Sequence, residues 1–200
     1  MTPAGGAGAP GTRVHVRPDA VRGARIVLDA GETRHVRRVL RLSVGDLVRA
    51  MDGLGHEWTV RLTALGTRAE GEILEAGAPA DESPLGLTLA QGMPKGDKLE
   101  TIIRMSTELG VGAVVPLMTT RSIAREESHA RWAARRARWE RVAREASKQC
   151  GRNVLMEVSE PVEWPKLIES ISSQAVRVIA SPKGDPFRPE SFDVRSSGGA

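Results

Sequence analysis

Apolar positions recur along this chain with two different periods, and the clearest change of period lies between Leu87 and Ser122. That stretch reads LTLAQGMPKGDKLETIIRMSTELGVGAVVPLMTTRS. It holds a short apolar run, a Gly/Pro/Lys turn, a segment with Leu99, Ile102, Ile103 and Ser106 on one helical face, a glycine, and a second apolar run. This order predicts strand, loop, helix and strand, a βαβ crossover between parallel strands. Asp97 stands at the N-cap position with Glu100 three residues later, the spacing of a capping box, and Gly110 is placed to stop the helix.

The N-terminal part follows the other period. Arg13-Val14-His15-Val16-Arg17 alternates, Ile26 to Leu28 is apolar, and Leu47 to Met51 and Glu57 to Leu62 flank the turn Asp52-Gly53-Leu54-Gly55. Short strands with such turns predict a small β-barrel, with Trp58, Val60 and Leu62 on its core side. Between the strands, Glu32 to Leu42 carries Val36, Val39 and Leu40 at helical spacing, which leaves Arg34, Arg37, Arg38 and Arg41 on the opposite face. Ala76 to Ser83 lacks periodicity and reads as a linker. Ser128 to Gly151 reads as one long helix with a stripe of Trp132, Trp139, Val142, Ala143, Ala146 and Cys150. A short helix around Lys166 to Ser170 and a strand over Val176 to Ala180 follow, and Ser181 to Ala200 predicts no packed element.

Composition narrows the class. An apolar fraction of 40% supports a real core, whereas the Gly/Ala/Pro-rich residues 1–12 read as a disordered leader. One cysteine, Cys150, excludes an internal disulfide framework and a cysteine-rich zinc site, and four scattered histidines form no metal cluster. With no signal-peptide pattern and no apolar stretch of spanning length, the expectation is a cytoplasmic protein with no membrane contact.

Charge changes the picture more than composition does. The net charge is only +4, but Arg131 to Arg152 holds eight Lys/Arg against Glu140 and Glu145, a local +6. Such concentration fits a polyanion partner, with a solvated helix face as the alternative. Lys95 and Lys98 flank Gly96 near a predicted helix N-terminus, where free N–H groups favour an anion; purely turn-shaping residues are the alternative. Glu108 sits in the last turn of that helix, where a carboxylate opposes the dipole, and a salt bridge is the simplest reason for it.

The segments MPKGDKLETIIRMSTELGV, VPLMTTRS and RWERVAREASKQCGR, in this order, resemble the RsmE family. HVRRVLRLSVGDLVRAMDGLGHEW extends the likeness to that family's RNA-binding domain. The resemblance implies an α/β fold plus a small β-barrel: a PUA-like RNA-binding domain over 13–75, a linker over 76–84, and a SPOUT-type trefoil-knot methyltransferase domain over 85–200. It implies S-adenosylmethionine (SAM)-dependent methylation of N3 of a uridine in 16S ribosomal RNA, with the small ribosomal subunit as partner and a homodimer as the family's assembly. The family's GPEGG-type loop and LGxRILRxETA-type segment have no counterpart here, so the knot and its cofactor pocket are expected to be incomplete and the chain inactive as it stands.

Within that resemblance the expected RNA contacts are Arg34, Arg37, Arg38, Arg41, Lys95, Gly96, Lys98, Arg121 and Arg152. Arg121 follows the second strand of the crossover, where ligands gather in open α/β sheets, and Gln149 to Arg152 resembles a family motif near the active cleft. No catalytic residue is assigned, because Cys150 has no histidine in its motif to activate it. The alternative reading is a non-catalytic RNA-binding protein derived from such an enzyme.

Overall fold

Alternation between buried and exposed positions organises the N-terminal sheet. Its strands are β1 (Arg13–His15), β2 (Val21–Arg22), β3 (Arg25–Val27), β4 (Leu47–Met51), β5 (Glu57–Leu65) and β6 (Ala69–Ala76), in the order β1-β4-β5-β6-β3-β2. Only β1 and β4 run parallel; every other pair is antiparallel. Register shifts between Thr59 and Val60 and between Leu62 and Ala64 curl the sheet, so the expected barrel takes the form of a half-barrel. Val14, Val16, Ile26, Leu28, Val48, Val60 and Leu62 fill its concave side. Gly71 is required there, since a Cβ would lie 2.3 Å from Val60 Cγ1. This computed structural model describes residues 12–78, 82–120, 128–173, 175–181 and 184. Arg121, nearly all of the predicted leader and most of the C-terminal stretch lie outside the described residues.

Helix α1 (Ala30–Arg34) begins two residues before the predicted start because Asp29 caps it, its carboxylate accepting from the Glu32 N–H at 2.8 Å. It continues as a π-helical turn over His35–Val39, closed by the Leu40 N–H to the His35 carbonyl at 3.0 Å. The wider turn breaks the 3.6-residue spacing. Val36 is buried as expected, but Val39 is 65% exposed and does not share the apolar face.

The predicted crossover is present: β7 (Thr88–Gly92), α2 (Lys98–Glu108) and β8 (Ala113–Met118), with β7 and β8 parallel. After it come α3 (His129–Cys150), β9 (Glu157–Val158), β10 (Val162–Glu163) and α4 (Trp164–Ser170). Both β9 and β10 pair with β8 in parallel. Leu99, Ile103, Val111, Val114, Trp139, Ala143, Met156 and Val158 form the second core, between this sheet and helices α2 and α3. Gly110, at φ 84°, ends α2 as expected. The capping box does not form: Asp97 makes no side-chain cap bond, and Glu100 instead pairs with Arg138 of α3 at 2.8 Å. An ion pair to a neighbouring helix thus displaces a local bond.

Two further expectations fail here. Val176 to Ala180 forms no strand; Val176, Val178 and Ile179 are 62%, 56% and 76% exposed. Cys150 is exposed rather than on the buried apolar stripe of α3, whose last apolar member is Ala146. Among the described residues no helix is long and apolar enough to cross a membrane.

The half-barrel docks on the end of α3 and the loop after it. Lys148 Nζ lies 2.9 Å from Glu32 Oε1, with both side chains less than a tenth exposed. Arg13 bonds Glu57 within the half-barrel and Asn153 across the junction. The Leu155 N–H donates to the Gly53 carbonyl at 2.9 Å, and the Gly55 N–H donates to the Asn153 carbonyl at 3.1 Å. Gly53 must be glycine, since it holds φ 78° and a Cβ would meet Leu155 at 2.7 Å.

His15 lies buried at this junction. Burial, with the charges of Arg144 and Lys148 acting the same way against Asp29, lowers its pKa from 6.5 to about 4. Because the unfolded chain takes up the proton first, this contribution to stability is full above pH 6.5 and is lost as pH falls toward 4. The shift corresponds to about 3 kcal/mol. Urea midpoints taken between pH 7.5 and pH 4.5 should fall less steeply for His15→Gln than for the unmodified protein. Equal slopes would remove His15 from the acid sensitivity.

Candidate nucleic-acid interface

Three of the predicted arginines come together. Arg34, Arg37 and Arg38 line a cavity of about 310 Å³ with Ala30, Thr33 and Thr67. Local structure explains the convergence: α1 and its π-helical extension run beside the β5–β6 turn, where Arg37 Nη1 donates to the Gly66 carbonyl at 3.2 Å. Thr33 anchors the same helix, its hydroxyl accepting from the Ala69 N–H at 2.9 Å. None of the three arginines forms an ion pair among the described residues. Three guanidinium groups around an open cavity have no carboxylate partners among the described residues, and guanidinium geometry suits phosphate oxygens. Arg41 is exposed at φ 54°, just past the turn, and is not part of the cavity wall.

Lys95, Gly96 and Lys98 lie in the exposed approach to α2, and Gly96 holds φ 69° with open space where a Cβ would be. Neither lysine has an ion-pair partner among the described residues. The structure therefore keeps this second basic group available to solvent, but gives it no cavity shared with the arginines.

The basic helix α3 is more neutral than its sequence. Arg136 pairs with Glu140 at 2.8 Å, Arg138 with Glu100, and Lys148 with both Glu32 and Glu145. Arg135 lies over the Trp132 ring, 5.4 Å from its centroid. Arg152 departs furthest from its expected role at the RNA. Its Nε binds Glu82 at 2.9 Å, and its Nη1 donates to the carbonyls of Thr107 and Val111 at 3.1 and 2.9 Å. With its side chain only 12% exposed, it ties the start of the second domain to the end of α2.

A second cavity, of about 490 Å³, lies at the domain junction between Arg13, Glu57, Glu82, Glu108, Cys150 and Arg152. Glu108 is exposed there with no ion-pair partner among the described residues, so the expected salt bridge is not made. The cavity fits SAM poorly: its wall contains no aromatic ring, and the guanidinium groups of Arg13 and Arg152 already hold carboxylates. Among the described residues no His/Cys/Asp/Glu group is arranged to hold a metal. Thr33 and Thr67 complete the arginine cavity without any sequence signal, since only the fold brings the β5–β6 turn beside α1.

Residues 81–196 match the RNA methyltransferase domain family, and residues 28–74 match the RNA methyltransferase PUA domain. A relative from Synechocystis, the ribosomal RNA small subunit methyltransferase E, is 33% identical over 160 residues, covering 80% of this chain and 51% of its own length. The Bacillus subtilis protein of the same name is 30% identical over 151 residues, 74% of this chain and 58% of the relative. Among solved structures, the small subunit methyltransferase E of Neisseria gonorrhoeae, bound to S-adenosyl methionine, matches with a TM-score of 0.74 at 33% identity. That match covers 81% of this chain and 66% of the other. A Legionella pneumophila methyltransferase with bound SAM matches with a TM-score of 0.79 at 26% identity, over 86% and 70% of the two chains. The chain spans between half and three-fifths of the length of these two curated relatives. With its larger part matched by one family and β4 to β6 of its half-barrel lying largely within the accompanying PUA match, the chain belongs to the RNA methyltransferase domain family whose members include the ribosomal small subunit methyltransferases E.

Proposed function

We propose that this chain is the RNA-binding and part of the methyl-transferring portion of an enzyme that methylates N3 of a uridine in 16S ribosomal RNA. The observation that carries the reading is the cavity of Arg34, Arg37 and Arg38 in a domain of RNA methyltransferase PUA type. Those guanidinium groups hold phosphate and orient the RNA, and Lys95 and Lys98 at the approach to α2 supply a second backbone contact. Arg41 and Arg121 stand in the proposal as outlying phosphate contacts, whereas Arg152 is left out because its bonds are internal.

SAM is the proposed methyl donor, supported by the SAM-bound relatives. Because the junction cavity fits it poorly, no step of the chemistry is assigned to the residues around that cavity. The second reading is a non-catalytic RNA-binding protein derived from such an enzyme. The enzyme reading carries with it a cytoplasmic location, where ribosomal subunits are assembled, and the homodimeric assembly of the family.

Replacing Arg37 and Arg38 together by alanine should weaken binding to a 16S fragment and reduce the slope of log affinity against log salt by about two, one for each phosphate that is no longer neutralised. Unchanged affinity across several salt concentrations would take the arginine cavity out of the interface. Nuclease digests of 16S RNA from source cells lacking the gene should be short of one 3-methyluridine, which the gene restores. An unchanged 3-methyluridine content, together with retained RNA affinity, would establish the non-catalytic reading.

A further inference from the structure

The end of the loop between β4 and β5 and the start of β5 hold an aromatic pair that the arginine cavity does not use. His56 stacks on Trp58 with ring centroids 5.8 Å apart and an interplanar angle of 19°. Trp58 is half-buried and packs against the half-barrel core, so one ring of the pair is anchored. The His56 side chain is 68% exposed, which leaves its face away from Trp58 open.

Asp52 holds this ring in place. Its buried carboxylate uses Oδ1 to accept from the N–H groups of Leu54 and His56, at 2.8 and 3.1 Å; with the Asp52 N–H donating to the His56 carbonyl at 3.3 Å, these bonds close the turn without the His56 ring. The other oxygen, Oδ2, lies 2.7 Å from His56 Nδ1 and orients the imidazole. The turn is further pinned to the second domain by the backbone bonds of Gly53 and Gly55 to Leu155 and Asn153. A fixed aromatic face loses little entropy when a ligand stacks on it.

The charges around the pair select the kind of ligand. Glu57 is held by Arg13 and Arg49, and Asp52 by His56, so among the described residues beside the ring no cation is left without a carboxylate. That environment does not suit a phosphate. It suits a neutral planar group, and an unpaired nucleobase is one that an RNA-binding domain meets. Trp58 and the Gly66 turn beside Arg37 stand at opposite ends of β5, roughly 25 Å apart at the rise of a strand. Backbone contact at one end and base contact at the other is a division of labour that a single strand of RNA can satisfy.

We propose that the His56 ring, stacked on Trp58 and oriented by Asp52, is a stacking platform for one unpaired base of the bound RNA; this rests on the RNA-binding reading given above. Binding to a single-stranded 16S fragment at several salt concentrations tests it with two variants. His56→Gln keeps a donor for Asp52 but has no ring, and should lose about tenfold in affinity with an unchanged salt slope, because stacking displaces no counterions. His56→Phe keeps a ring without the donor and should bind within about threefold of the unmodified protein. His56→Gln should keep its thermal midpoint, because its amide still serves Asp52, whereas His56→Phe leaves the buried Asp52 Oδ2 without its donor and should lower the midpoint while retaining binding. Unmodified binding by His56→Gln, or equal losses in both variants, would overturn the platform while leaving RNA binding standing. Failure of the unmodified protein to bind at any salt concentration would overturn the RNA reading, and the platform with it.

Discussion

The buried pair of Lys148 and Glu32 is the interaction on which the arrangement of the two domains depends. Lys148 lies in the last turn of α3 and Glu32 in the first turn of α1, and each side chain is less than a tenth exposed. Two ions withdrawn from water recover the desolvation cost only through close geometry and further bonds. Lys148 has a second carboxylate, Glu145 at 2.8 Å, on the solvent side. Glu32 has no such surplus, since its Oε2 is buried without a partner. The pair therefore stabilises little beyond an apolar substitute, but it is costly to break and specific in position. Because Glu32 is followed by Thr33 and Arg34, fixing Glu32 also fixes the wall of the arginine cavity.

Ion pairing also decides which cations are available to a nucleic acid. On α3 three of the seven cations, Arg136, Arg138 and Lys148, pair with carboxylates of the same helix or of α1 and α2. On α1 and its π-helical extension, Arg34, Arg37 and Arg38 have no carboxylate partners among the described residues and face a cavity. Charge density along the sequence is thus a poor guide to the potential at the surface. A run of cations that folds against acids becomes an adhesive between helices, and a shorter run that folds against a turn of Gly66 and Thr67 becomes a site.

Features set by local chemistry were legible in the sequence. The crossover, the glycine stops at Gly110 and Gly151, and the full length of α3 follow from periodicity and from backbone conformations that favour glycine. The arginine stripe was legible too, as the polar side of an amphipathic segment. What escaped depends on partners distant in sequence. Arg138 captures Glu100 and so replaces a capping box; Arg152 reaches two carbonyls around the end of α2; Lys148 finds a carboxylate 116 positions away. The π-helical turn that exposes Val39 has no periodic signature, and Cys150 lies where α3 has already passed the edge of the core. The His56 platform needed both a turn and a strand to bring its two rings together.

A double-mutant cycle across the junction is the most direct measurement of whether the two domains act as one docked unit. Urea unfolding of Glu32→Gln, Lys148→Met and the double variant gives the coupling between the two side chains. The account predicts at least ~2 kcal/mol, since Lys148→Met leaves Glu32 buried and unpaired and Glu32→Gln leaves the buried Lys148 with Glu145 alone. Single effects that add to within ~0.5 kcal/mol would contradict it, because independent side chains cannot be what holds the arginine cavity against α3.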